Sequence, residues 1–465
     1  MLRYLLLFLA AMTLASSSLA AAERPNFIII IGDDVGWNDI GPYGHPHVKT
    51  PNLDRMAKVG MRFDAAFLTC SSCSPSRCSI MTGRFPHNTG AAELHMPLPA
   101  DQIVFAGLLK EAGYYTGAAG KWHLGKPAEV NFDRIMGGGP SGCENWEKMI
   151  SERPMDKPFF FWLASFDAHR PYKEGTIDQP HGRQEIVVPP FLPDEPPVRD
   201  DLGMYYDEIS RLDDYTGKVM ALLKKQNVLD NTFILFMADN GRPFPRSKIT
   251  IYDSGVKTPF IVQWPGHVKA GATTDSLISS IDIAPTILQL AGLPVGPSFQ
   301  GKSFAPILEN PKAQTRDYVV SEHNWHDYKA FERSVRSKQF LYIYNALPQL
   351  TGSPPADAVN SPTFQTMLKL EAEGKLPADQ RGPLVAPRPQ EELYEVVDDP
   401  YQLKNLVDDP AYAKTLATMR QEYQAWKNRT EDEMTAQLTP DKFDRRSGQR
   451  LPEFQNKKKR QPKKK

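Results

Sequence analysis

This chain of 465 residues has only four cysteines, Cys70, Cys73, Cys78 and Cys143. That is too few to hold a fold of this size together through disulfides. It has no excess of either charge: 55 Lys and Arg balance 55 Asp and Glu, so the basic surplus expected of a nucleic-acid binder is missing. Beyond Ala22 no apolar run approaches the roughly 20 residues that a membrane-crossing helix needs. No repeat period marks a solenoid or a propeller. These absences leave a globular protein with no transmembrane segment, and they leave its oligomeric state open.

The chain opens with Arg3, then an apolar run from Leu5 to Ala15, then small residues. Residues 1–22 therefore read as a signal peptide, which predicts a secreted or periplasmic protein. The remainder is long enough for one large domain or two unequal ones. Seven of the Lys and Arg sit in the last ten residues, Asn456–Lys465, with no acid among them. Residues 441–465 are predicted to be a disordered basic tail, either a solvated end or a tether for a polyanionic substrate.

Residues 23–312 alternate strand and helix signals. "NFIIIIG" (Asn26–Gly32), "PFFFWLASF" (Pro158–Phe166) and "TFILFMA" (Thr232–Ala238) are continuous apolar runs, as expected of strands buried on both faces. "TPNLDRMAKVG" has a proline in its first turn and a closing glycine, a helix pattern. A long amphipathic helix follows from about Asp201. The alternation predicts an α/β domain with a mostly parallel central sheet sandwiched by helices. In residues 313–440 the strands shorten, around "DYVVSEHNW", "ERSVRSKQFLYIYN" and "EELYEVVDDP", which predicts a smaller antiparallel subdomain closed by a helix. A Pro-rich stretch after Asn345 is expected to be an ordered excursion or a loop.

Polar clusters follow four of the predicted strands: Asp33-Asp34, Lys121-Trp122-His123, Asp167-Ala168-His169 and Asp239-Asn240. One such cluster alone is ordinarily a helix cap. Four at the carboxyl ends of one parallel sheet point to a common site. Asp33, Asp34, Asp239 and Asn240 supply oxygen donors with no thiolate or imidazole, a set suited to Ca²⁺ or Mg²⁺. Lys121, His123, His169 and Lys248 add cationic and donor groups. An oxygen-liganded metal ringed by Lys and His is a site for a tetrahedral oxyanion.

The cysteines remain to be explained. Three of them lie between Cys70 and Cys78, but a zinc knuckle needs a fourth ligand and Cys143 is far away. A disulfide among Cys70, Cys78 and Cys143 is open, as is an ordinary thiol nucleophile at Cys73. "MGGGPSG" (Met136–Gly142) lacks the strand-before, helix-after context of a phosphate loop and reads as a flexible loop. His323, Trp325 and His326 suit either sugar binding or packing within the smaller domain.

"CSPSRCSIMTGR" (Cys73–Arg84) resembles the signature of the type I sulfatases, C-x-P-S-R followed by T-G. The likeness extends over nearly the whole chain, through "FIIIIGDDVGWNDIGPYG", "TPNLDRMAKVGMRF", "GKWHLG", "ADNG" and "DIAPTILQLAGLP". Within that family the chain is similar to the heparan N-sulfatase (sulfamidase) group, in "CSSCSPSRCSIMTG", "ADNGRPFPRSKITIY", "RSVRSKQF", "NSPTFQTML" and "ELYEVVDDPYQLKNLVDDP". "FDAH" stands where sulfamidases tend to have a His-Asp-Pro-His run, and Lys248 where they tend to have Arg.

The resemblance implies an alkaline-phosphatase-like fold. It implies that a formylglycine-generating maturation enzyme oxidises Cys73 to formylglycine (3-oxoalanine), whose hydrate attacks the sulfur of a sulfated saccharide. It implies Ca²⁺, with Mg²⁺ as the alternative, bound by Asp33, Asp34, Asp239 and Asn240, with the converted Cys73 side chain against it. Arg77 and Lys121 would then hold the hydrate, Lys248 and His169 the sulfate oxygens. His169 would protonate the leaving group, and His123 would take the proton that lets sulfate depart. Two other readings use the same residues: a phosphonate or phosphodiester hydrolase on the same fold, and an inactive glycan-binding protein.

Overall fold

A computed structural model describes residues 24–455; the expected signal peptide and residues 456–465 of the basic tail lie outside it. The main sheet is built from Asn26–Gly32 (β1), Met61–Phe63 (β2), Tyr115–Gly120 (β3), Arg134–Met136 (β4), Phe159–Ala164 (β5), Thr232–Ala238 (β6), Phe260–Gln263 (β7) and Ala272–Thr274 (β8). Their order is β4-β3-β5-β1-β6-β7-β2-β8. All neighbouring pairs are parallel except the two that β7 makes.

β1 sits in the middle because both of its faces are apolar. Phe27, Ile29 and Ile31 pack on one side with Cys78, Ile80 and Met81. Ile28 and Ile30 pack on the other with Leu53 and Met56 of helix α1 (Pro51–Val59) and with Leu202 and Ile209 of a later, longer helix. All seven residues of β1 and all seven of β6 are buried. Each fully buried Ile or Phe contributes about 2–3 kcal/mol, so the four adjacent strands β3, β5, β1 and β6 form the rigid centre. Because these four run parallel, their carboxyl ends emerge along a single edge. The polar residues that follow them are therefore delivered to one place.

Helix α2 (Cys73–Thr82) is buried at all ten positions and ends at Gly83, whose φ of 60° closes it in the left-handed region. The longest helix, α3 (Pro196–Lys225), covers the opposite face. Downstream, Val319–His323 (β9), Glu332–Arg336 (β10), Phe340–Asn345 (β11) and Glu391–Glu395 (β12) form the antiparallel sheet, in chain order. Its Val335, Tyr342 and Leu393 pack against Leu416, Met419, Tyr423 and Trp426 of the closing helix Ala413–Thr430.

The Pro-rich stretch between β11 and β12 is an ordered excursion. It leaves the small sheet and forms helices α4 (Ala356–Val359) and α5 (Pro362–Ala372). Val359, Phe364 and Met367 join the core on the α3 face of the large domain. The junction is polar at its centre. Arg170 makes a two-point pair with Asp201 of α3 at 2.7 and 2.8 Å, and the Thr363 hydroxyl donates to the same carboxylate at 2.6 Å. Asp201 is fully buried and Arg170 nearly so. Asp201→Ala would strand a buried guanidinium, and losing one partner of such a pair costs about 3–5 kcal/mol. A lowered midpoint in chemical unfolding is the expected result. Asp201→Asn should recover part of the loss, because its amide oxygen still accepts from Arg170.

The structure corrects one expectation and answers a question the cysteines left open. Residues 441–455 do not belong to a disordered tail. Asp441 pairs with Arg445 at 2.7 Å, the Lys442 amide donates to the Asp327 carbonyl at 2.8 Å, and Arg445 donates to the carbonyls of Thr351 and Lys329. Arg445 thus ties this segment both to Thr351 in the excursion and to Lys329 before β10, which composition alone does not reveal. The cysteines form no disulfide: all four are free and buried. Met136 ends β4 and the rest of its glycine-rich stretch, Gly137–Gly142, is a loop held at its far end, where the Ser141 hydroxyl donates to Asp167 at 2.8 Å. Trp325 and His326 are buried, the indole donating to the Pro440 carbonyl and His326 bonded to Ser72, which is packing rather than display to a sugar.

Candidate active site

At the carboxyl edge of the sheet, Asp33 and Asp34 follow β1, and Asp239 and Asn240 follow β6. All four are fully buried. Asn240 Nδ2 donates to Asp34, and the Asp34 amide donates to Asp239 at 3.3 Å. Gly120 shapes the neighbouring strand end. Its φ is +92°, and a Cβ there would lie 1.9 Å from the Ala164 carbonyl oxygen, so only glycine lets β3 turn its Lys121 into the site.

Three cations face these acids. Arg77 reaches out of α2 and clamps Asp239 through Nε at 2.8 Å and Nη2 at 2.7 Å, while its Nη1 donates to the Lys121 carbonyl. Lys121 donates to Asp33, and Lys248 to Asp34 at 2.8 Å. Cys73 begins α2, and its sulfur lies 3.9 Å from Asp34 Oδ1. The preceding Ser72 is a good capping type, but its hydroxyl is engaged by His326 at 2.7 Å instead. Burial pushes the Cys73 thiol far up, against the pull of Lys121 and Lys248. As a thiol it is a poor nucleophile, which argues against the ordinary-thiol reading.

Two acceptors in this cluster have no hydrogen-bond partner, Asp33 Oδ1 and Asn240 Oδ1. An orphaned buried oxygen is costly. Two of them beside three buried carboxylates are what a site built for a hard cation presents. Ligand atoms of Asp33, Asp34 and Cys73 lie within 4.8 Å of one another. The donor set fits Ca²⁺ or Mg²⁺ and does not fit Zn²⁺.

The two histidines differ in setting. His123 is driven down to about 2, by burial first and then by Lys121 and Arg77, so it is a neutral imidazole near neutral pH. Its Nε2 pairs with Nδ1 of His95 at 2.8 Å, while its Nδ1 is buried without a partner. His169 sits beyond Lys248. Its Nδ1 donates to the Arg170 carbonyl, which turns Nε2 outward to within 3.2 Å of the Asp357 carboxylate.

All the site residues expected from sequence thus gather at this edge. One member of the predicted clusters does not: Asp167 points away, gripped by Arg211 at 2.6 and 2.9 Å. Its backbone still matters, because the Asp33 amide donates to the Asp167 carbonyl at 2.8 Å. Two residues at the site carried no sequence signal. His95 lies in a loop after α2, and its amide donates to the Ser74 hydroxyl at 2.8 Å. Asp357 comes from α4 in the Pro-rich excursion.

Comparison with known proteins agrees with this arrangement. The sulfatase family profile matches residues 25–142 and 141–293, and that of the N-sulphoglucosamine sulphohydrolase C-terminal region matches residues 246–343. An ulvan-active sulfatase of Formosa agariphila is 30% identical over 88% of this chain and 76% of its own length. Human N-sulphoglucosamine sulphohydrolase is 29% identical over 89% of this chain and 92% of its own. The fold is shared with BT4656, solved in complex with its substrate D-glucosamine-2-N,6-O-disulfate, at a TM-score of 0.68 and 20% identity over 88% of this chain and 99% of that one. It is shared also with BT1596, a 2-O GAG sulfatase, at a TM-score of 0.64 and 24% identity over 90% and 95%. On the sequence matches, this chain belongs to the sulfatase family of sulfuric ester hydrolases.

Proposed function

We propose that this protein is an exported sulfatase that removes sulfate from sulfated glycans, with the N-sulfate of glucosamine as its first candidate linkage. It would be matured at Cys73 to formylglycine by a formylglycine-generating enzyme and would carry Ca²⁺. The observation that carries the reading is the buried cluster itself: Cys73 at the start of α2, 3.9 Å from Asp34, beside the orphaned oxygens of Asp33 and Asn240. Support for the N-sulfate comes from the family match over residues 246–343.

When present, the aldehyde supplies a hydroxyl nucleophile as its hydrate, and the cation held by Asp33, Asp34, Asp239 and Asn240 offsets negative charge on the transferring group. The chain's own residues do the rest. Arg77 is held rigid by Asp239 and the Lys121 carbonyl, so it presents fixed positive charge to whatever occupies position 73. Lys121, paired with Asp33, would join Arg77 in holding the hydrate, and Lys248, paired with Asp34, suits sulfate oxygens. His123 is held neutral by burial and by Lys121 and Arg77, so it would take a proton only when the negative charge of bound sulfate offsets those cations. His169 is fixed by its Nδ1 bond, with Nε2 beside Asp357, and as an imidazolium it would give its Nε2 proton to a departing nitrogen or oxygen.

The test uses protein coexpressed with a formylglycine-generating enzyme. Sulfate should be released from N-sulfoglucosamine at a heparan chain end and from an aryl sulfate, with no phosphate from the matching aryl phosphodiester or phosphonate. Faster phosphate release would establish the phosphohydrolase reading in its place. Release from ulvan or carrageenan fragments but not from heparan would move the substrate to O-sulfated algal glycans.

A further inference from the structure

Asp357 is out of place in an oxyanion site. Ligand atoms of Asp34, His169 and Asp357 all lie within 4.8 Å of one another. Asp357 Oδ2 lies 3.2 Å from His169 Nε2, and an ionised carboxylate has lone pairs but no proton to donate. It is therefore an acceptor only. Two unit charges 4 Å apart interact by about 4 kcal/mol at an effective dielectric near 20. A bare carboxylate here would push a sulfate group away unless a hydrogen-bond donor met it.

Its placement says which side that donor comes from. The Asp357 side chain is 34% exposed, whereas those of Asp33, Asp34 and Asp239 are fully buried. It is partly open to solvent, 3.2 Å from His169 Nε2. It is also held there firmly. The Ala356 amide donates to Asp327 at 3.0 Å, and α5, which follows directly, is tied to Asp201 through Thr363. The excursion after β11 thus crosses to α3 and sets this carboxylate beside His169, the residue proposed to protonate the leaving group.

We propose that Asp357 is a specificity-determining residue: its carboxylate accepts a hydrogen bond from an N–H or O–H donor of the departing sugar, and so favours saccharide leaving groups over aryl ones. This rests on the sulfatase reading above. A sugar presents such donors beside the scissile bond, and an aryl sulfate presents none.

The experiment compares kcat/KM for N-sulfoglucosamine and for nitrophenyl sulfate on matured wild type, Asp357→Ala and Asp357→Asn, with bound calcium and melting temperature measured for each. Asp357→Ala should lower the saccharide value roughly 10- to 100-fold more than the aryl value, the size of a lost hydrogen bond to a charged group. Asp357→Asn keeps one acceptor oxygen and should recover part of that gap. Equal losses on both substrates would overturn the proposal, since Asp357 would then act only through His169. Loss of bound calcium would overturn it too, by making Asp357 a cation ligand. If Asp357→Ala does not fold, the Asn variant decides by the same ratio. A wild type that releases no sulfate from either substrate would instead defeat the sulfatase reading, and this inference with it.

Discussion

Cys73→Ala is expected to reduce sulfate release by at least about 10⁴-fold, the scale of losing a nucleophile that works as part of a unit. The side chain is small and sits buried at the first position of α2, its sulfur 3.9 Å from Asp34 Oδ1, so its removal should cost the fold about 1 kcal/mol. Activity should vanish while the melting curve hardly moves. Cys73→Ser is the sharper test. It keeps a hydroxyl at the same place, but one hydroxyl is not an aldehyde hydrate, and a sulfate transferred to it would leave only by a second attack at sulfur. Protein made without the maturation enzyme should behave as these variants do, because burial holds the thiol protonated. Mass spectrometry of the peptide containing Cys73 supplies the independent readout, with loss of the thiol sulfur tracking activity from batch to batch. Full activity in protein whose Cys73 is unmodified would reject the proposed maturation.

Chelation should bring a loss of similar rank. Asp33, Asp34 and Asp239 are three carboxylates fully removed from water, opposed by Arg77, Lys121 and Lys248, and Asp33 and Asn240 each leave an oxygen unpaired. A hard divalent cation satisfies those oxygens and supplies several kcal/mol of charge stabilisation at the transferring group, which corresponds to roughly a thousandfold in rate. Removal of the metal should therefore silence the enzyme, and Ca²⁺ or Mg²⁺ should restore it. Restoration by Zn²⁺ alone would contradict the assignment. Stability provides a second measure. A ligand at 100 times its Kd adds about 2.7 kcal/mol to the folded state, so Ca²⁺ should raise the melting temperature of the wild type. Asp34→Asn removes one charge from the donor set and should shrink both effects.

The antiparallel sheet and the central strands were legible for different reasons. "NFIIIIG", "FFFWLA" and "TFILFMA" are continuous apolar runs because β1, β5 and β6 are covered on both faces. The acids after them were legible because a parallel sheet puts all its strand ends on one edge. Asp167 read the same way and failed: Arg211 of α3, 44 residues away in sequence, draws its carboxylate into a buried pair. Residues 441–455 read as disordered because they are charged and carry few apolar residues. They are ordered because Asp327, Thr351 and Lys329 offer them partners that lie nearby only in space.

By itself the sequence determined the sheet centre, the polar residues that follow its strands, and the motif around Cys73. Each of these depends on local pattern: hydrophobic period, turn residues, and a motif of fixed spacing. Only the tertiary structure decided what surrounds them. His95 meets His123 across 28 residues, and Asp357 meets His169 across a domain boundary. Neither lies in a run with a period or a motif. A single polar residue in a loop gains its role from the charge it faces, and that neighbour is set by how the excursion packs on α3, which no local pattern encodes.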